Sequence, residues 1–103
     1  MKAAPMHILF IADPLSGFKI HKETTYAMMR AAQARGHTVW SCTSRDVFSK
    51  AGIFANAQQI TLRDDATQAH WFDTIEHNTK QLNTFDAIVM RRDPPFDVNY
   101  VTD

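Results

Sequence analysis

Three short apolar runs and one amphipathic stretch set the rhythm of this chain. His7-Ile-Leu-Phe-Ile-Ala12 reads as a first buried strand that ends at Asp13-Pro14, and His37-Thr-Val-Trp-Ser-Cys42 reads as a second. Between them a loop, Leu15 to Lys22, leads into a helix that starts near Glu23 or Thr24. Ala27, Met28, Ala31 and Ala32 share one face of that helix at the i, i+1, i+4, i+5 spacing, and Gly36 is placed to terminate it. Strand, helix and strand in succession make a βαβ unit, whose crossover is expected to be right-handed.

The third apolar run, Ala87-Ile-Val-Met90, is unbroken. That pattern suits a central parallel strand covered on both faces, where alternation is not expected. Arg91, Arg92 and Asp93 follow at once, and Pro94-Pro95 stiffen the turn, because proline donates no hydrogen bond to a ladder and biases its predecessor towards extended backbone. The middle of the chain is less regular. Asp46 to Lys50 and Ile53 to Arg63 flank Ala51-Gly52, which predicts a hairpin with a glycine turn. Asp64-Asp65-Ala-Thr reads as a loop, and Gln81 to Phe85 as a short helical turn leading into the 86–90 strand. His70 to Ile75 fits a strand or the start of a helix; periodicity does not separate the two.

Length and charge narrow the function classes. At 103 residues the chain is one small domain, with 45% apolar residues to build a core. Eleven basic and eleven acidic residues cancel, which leaves no electrostatic footprint for nucleic acid or an anionic membrane. No apolar run is long enough for a membrane span or the core of a signal peptide. One cysteine excludes an internal disulfide and fits a reducing cytoplasm. A parallel sheet needs helices on its faces, yet little chain follows Pro95, so a larger protein is expected to continue past Asp103.

The candidate chemistry begins with what is missing. Gly17 stands alone after the first strand, so neither a dinucleotide fingerprint nor a phosphate loop is present. His7, His21, His37, His70 and His77 lack ligand spacing, and the adjacent Asp64 and Asp65 read as solvated, so no metal site is expected. Two charged clusters remain. Asp13 with Lys22 follows the first strand, and Arg91, Arg92 and Asp93 follow the third. If both strands are parallel, both clusters leave the sheet at its carboxyl edge, where open α/β sheets bind ligands. An arginine fork suits a carboxylate and a nearby aspartate suits an ammonium, a pairing that points to an amino-acid-like ligand.

Asp13-Pro14, Ile20, Lys22, Thr24-Thr25-x-Ala-Met28, Ala32-Gln33, Arg35-Gly36 and Met90-Arg-Arg-Asp-Pro-Pro-Phe-Asp97 together resemble the N-terminal domain of prokaryotic glutathione synthetase. The last string is the specific one. The likeness spans nearly the whole chain and is loosest over 44–85. Glu23 and Thr24 stand where the family pattern has Asp and Ser, both conservative changes at a helix start.

The resemblance implies a Rossmann-like pre-ATP-grasp domain covering 1–103, with a mostly parallel sheet, flanking helices and a hairpin excursion. It implies a cytoplasmic bacterial ligase that joins γ-glutamylcysteine to glycine, using ATP and magnesium through an acyl phosphate. The ATP-grasp part would lie outside this chain. The fragment is then expected to hold no cofactor, to contribute no catalytic residue, and to bind substrate through Asp13, Lys22, Arg91, Arg92 and Asp93. Self-association is expected as well, because an isolated domain exposes apolar surface that the rest of the protein covers. Two other readings compete. A flavodoxin-like or response-regulator module would want an acidic pair after the first strand, and only Asp13 is there. The N-terminal half of a two-domain glycosyltransferase would want a Gly-Gly turn, which is absent, and leaves the Arg-Arg-Asp-Pro-Pro-Phe-Asp string unexplained.

Overall fold

The computed structural model describes residues 4–91; Arg92, Asp93 and the Pro-Pro turn lie outside the described residues. Six strands and one α-helix follow in the order β1 (His7–Ile11), α1 (Thr24–Ala34), β2 (Thr38–Cys42), β3 (Val47–Ser49), β4 (Ile53–Leu62), β5 (Phe72–Gln81) and β6 (Ala87–Met90). Short 3-10 turns at Leu15–Gly17, Ser44–Asp46 and Leu82–Thr84 join them. The expected α/β class, the βαβ start, the helical turn before β6 and the glycine-turned hairpin are all found. Residues 72–75 are strand, so the ambiguous stretch belongs to β5.

β1 lies between β2 and β6 and runs parallel to both, with Phe10 opposite Ser41 on one side and Val89 on the other. Everything on the far side of β2 is antiparallel. β4 pairs with β2 through Val39–Ile60 to Ser41–Gln58, with β3 through Val47–Ala55 to Ser49–Ile53, and with β5 along nearly its whole length. Because β5 occupies one edge of β4 throughout, β2 and β3 must share the other edge end to end. The turn Ser44–Asp46 sits in the break between them. The sheet is therefore mixed rather than mostly parallel. The reason is in the linkers: a parallel neighbour needs a crossover of a dozen or more residues, and 50–52 and 63–71 are too short for one.

Two expectations about packing are corrected. Ala87 to Met90 form a parallel strand, but β6 ends the sheet among the described residues and all four positions are only half-buried, so it is not central. The apolar run reflects two half-covered faces: Ala87 and Val89 pack with the helix-side core, and Ile88 and Met90 with the opposite one. The buried positions of α1 are Thr25, Met29 and Ala32, while Ala27 and Ala31 are exposed and Met28 is half-buried. Met29, fully buried, sets the rotation; alanines carry too little apolar surface to compete with it. A single α-helix is present among the described residues, where several were expected.

The core has two halves, one on each face of the sheet. Ile8, Phe10, Val39, Ile60 and Met29 fill the half under α1. Leu9, Ile11, Trp40, Val47, Leu82 and Phe85 fill the other. Gln33 docks the helix by acting as a ladder partner: its Nε2 donates to the Leu62 carbonyl (3.0 Å) and its Oε1 accepts from the Leu62 N–H (2.7 Å). Beyond Gln33, Gly36 turns the chain at φ 87°, a left-handed conformation that glycine adopts without strain. No helix among the described residues is long and apolar enough to cross a membrane.

Candidate functional site

The parallel pairing of β1 with β6 brings Asp13 and Arg91 out at the same carboxyl edge of the sheet. Arg91 is the better defined. Its N–H donates to the Ile11 carbonyl (2.8 Å), which carries the ladder one residue past the strand. Alternation along β6 places Arg91 on the same face as Ala87 and Val89, the face that α1 covers. There its Nε donates to Thr25 Oγ1 (3.0 Å), and Thr25 is 3% exposed. Backbone and guanidinium are both fixed, and the two terminal nitrogens make no hydrogen bond among the described residues. Thr25 was not singled out as a site residue from sequence. The available signal was a hydroxyl standing at i, i+4, i+7 with Met29 and Ala32, where a third apolar side chain belongs.

Lys22 is exposed and is not part of this corner. Its N–H donates to the Lys19 carbonyl (2.8 Å), and it lines a separate shallow cleft of about 470 Å³ with Ser16, Phe18 and Gln68. Gln68 holds that loop by its backbone, accepting from the Ile20 N–H (3.1 Å) and donating to the Phe18 carbonyl. Trp71 stacks on Phe18 at 5.4 Å between ring centroids. Asp13 is exposed beside Pro14 at the end of β1. Arg92 and Asp93 lie outside the described residues. Of the five substrate-side residues expected from sequence, two are thus brought to one edge, one is set apart, and two are not described.

A larger cleft, of about 520 Å³, opens at the break between β2 and β3. Cys42 lines it but is 5% exposed. Burial, with the Asp46 carboxylate adding to it, pushes the thiol up to about 12. The native thiol therefore stays protonated and unreactive. With a chromogenic disulfide reagent at pH 8, native protein is expected to leave Cys42 unmodified over the time in which urea-unfolded protein reacts fully. Rapid labelling of the native protein would contradict this burial.

The turn after β1 does not present free amides to a phosphate: the Gly17 N–H donates to Pro14 (3.0 Å) and the Phe18 N–H to Leu15 (3.1 Å). No group of three or more His, Cys, Asp or Glu side chains converges among the described residues.

A family model described as prokaryotic glutathione synthetase, N-terminal domain, matches residues 6–103. The glutathione synthetase of Ralstonia nicotianae is 42% identical over 98 residues, which take in 94% of this chain and 30% of that protein. That of Bordetella pertussis is 45% identical over 100 residues, covering 93% of this chain and 31% of its own length. That of Neisseria meningitidis serogroup A is 39% identical over 99 residues, with the same coverage, 93% and 31%. The chain spans about 30% of the length of the curated relatives it matches.

Proposed function

This chain belongs to the family described as the N-terminal domain of prokaryotic glutathione synthetase, and on that premise we propose that it is the substrate-side domain of an ATP-dependent ligase joining γ-glutamylcysteine to glycine. In this reading the mixed sheet serves as a Rossmann-like pre-ATP-grasp domain. In the same reading ATP and magnesium bind elsewhere in a longer parent, and no step is routed through them here. The parent is bacterial, cytoplasmic and homo-oligomeric.

One observation supports the site best: Arg91 is anchored at the carboxyl edge by Ile11 and Thr25 at once. A planar guanidinium with its Nε already engaged has its terminal nitrogens oriented, so it meets a carboxylate without first losing side-chain freedom. Asp13 leaves the sheet at the same edge, and Arg92, Asp93 and Lys22 are proposed from the family resemblance to contact the same substrate. The domain binds and orients; it contributes no group to phosphoryl or acyl transfer.

The two levels of the proposal separate in a turnover assay. Incubated with ATP, magnesium, γ-glutamylcysteine and glycine, the 103-residue chain is expected to release no ADP and form no glutathione above the contaminant level. The full-length parent is expected to do both. Turnover by the short chain would overturn the assignment of catalysis to the rest of the parent. An inactive parent would overturn the ligase reading itself.

A further inference from the structure

The connection 63–71 between β4 and β5 is built as a short braced arm. The Arg63 N–H donates to the Trp71 carbonyl (3.0 Å), and Thr67 and His70 exchange backbone hydrogen bonds (3.0 and 3.1 Å), which makes Gln68 and Ala69 a two-residue tip. At the base, Arg63 pairs with Asp65 and with Asp73, each at 3.1 Å. Arg30 of α1 donates to the Arg63 carbonyl (3.1 Å). An exposed glutamine on such a tip is ordinarily solvated. Gln68 instead spends both ends of its carboxamide on the loop after β1, donating to the Phe18 carbonyl and accepting from the Ile20 N–H (3.1 Å). It is a ladder rung made by a side chain, as Gln33 makes one with Leu62. Trp71, at the root of the same arm, stacks on Phe18 at 5.4 Å and meets Tyr26 of α1 edge-on at 5.2 Å.

The loop so held runs from Phe18 and Ile20, both buried, into the first turn of α1. That turn has no side-chain cap: Glu23, at the N-cap position, makes no capping hydrogen bond. An uncapped first turn has amides without partners in the helix, and it frays unless the incoming chain is fixed. Thr25 stands in this turn and accepts from Arg91 Nε (3.0 Å). The guanidinium is therefore aimed from a helix start that depends on the loop before it for its own position.

We infer that Gln68 is a positioning residue for Arg91, acting through the 18–22 loop and Thr25 without touching substrate. The β4–β5 connection then serves the carboxyl edge from outside it, in place of the cap that α1 lacks. The inference rests on the proposed function for what Arg91 binds, and on the hydrogen bonds alone for the path that leads to it.

The test uses the full-length parent carrying Gln68→Met, which keeps the side-chain length at an exposed position and removes both strong hydrogen bonds. Hydrogen exchange over 18–25 is expected to rise about tenfold, as for a segment that opens locally once its partners are lost. Exchange at Leu62, held by Gln33, is expected to stay unchanged. With γ-glutamylcysteine varied, KM is expected to rise about fivefold, while kcat and the KM for ATP stay within about twofold, which is the pattern of lost binding rather than lost folded enzyme. In a Thr25→Val background, which keeps the shape and removes the hydroxyl, Gln68→Met should change that KM less than about twofold, because the two residues act along one path. Unchanged exchange overturns the inference. So does raised exchange with an unmoved KM, which would make Gln68 merely structural, or a full fivefold effect that persists in the Thr25→Val background. Arg91→Ala in the same assay separates the two levels. If it still impairs use of the dipeptide while Gln68→Met does not, the proposed function stands without this inference. If Arg91→Ala leaves the dipeptide unaffected, the proposed site and the inference fall together.

Discussion

Replacing Arg91 by alanine in the full-length parent is expected to lower kcat/KM for γ-glutamylcysteine roughly ten- to a hundredfold, with the apparent affinity for ATP nearly unchanged. The magnitude separates two roles. An arginine on the surface that serves only an exposed pair contributes about 0–1 kcal/mol. A charge-assisted hydrogen bond to a bound carboxylate contributes about 1.5–3 kcal/mol, which is the stated loss in affinity. The larger figure is expected because Arg91 is held before the ligand arrives: Ile11 fixes its backbone and Thr25 its Nε. Lysine cannot restore the fork, so Arg91→Lys should recover only part of the loss. Steady-state kinetics against each substrate in turn checks this. A fall of less than threefold for the dipeptide, with the fold intact, would make Arg91 a structural residue that satisfies Thr25 and nothing more.

The largest effect on stability is expected at Phe10. It is 2% exposed on the middle strand of the parallel group, in the core half under α1. Truncation to alanine leaves a cavity that β2, β6 and the helix cannot close together, because each is fixed by its own ladder or dock. Such changes cost about 3–5 kcal/mol. A small domain has about 5–15 kcal/mol in all, so Phe10→Ala should lose a large part of its folded population. Urea unfolding followed by circular dichroism measures this. A loss below about 1.5 kcal/mol would mean that the two sheet faces repack far more freely than their burial suggests.

The parts of the fold that the chain announced were those with local causes. The apolar runs at 7–12, 37–42 and 87–90 became strands, Gly36 stopped the helix, and Ala51-Gly52 turned a hairpin. What remained hidden depended on partners distant in sequence. Whether β6 is central or terminal is decided by what lies beside it, and an apolar run looks the same in both places. The rotation of α1 followed Met29 because that side chain joins the core half that Phe10 and Ile60 also fill, residues whose clustering no helical period encodes. The candidate site divides the same way. Arg91 was visible as the first charge past an apolar run. Thr25, which aims it, was not, since a threonine near a helix start reads first as a cap. The cleft at the β2–β3 break was invisible for a stronger reason: it exists only because two strands share one edge of a third.

The pairing of β1 with β6 also bears on the order in which the molecule assembles. The backbone of His7 bonds to Asp86, 79 positions away, whereas Leu62 and Phe72 meet across a connection of 63–71. Closing the longer loop costs roughly 2 kcal/mol more in chain entropy, by the logarithmic dependence on loop length. The β4–β5 hairpin can therefore form early from local encounters, while the outer parallel ladder waits on a collapse that has already brought the ends together. Arg91 rides on that ladder. Its aim is set among the last events of folding, and any opening of the sheet from the β6 side would loosen the arginine before it disturbs the hairpin.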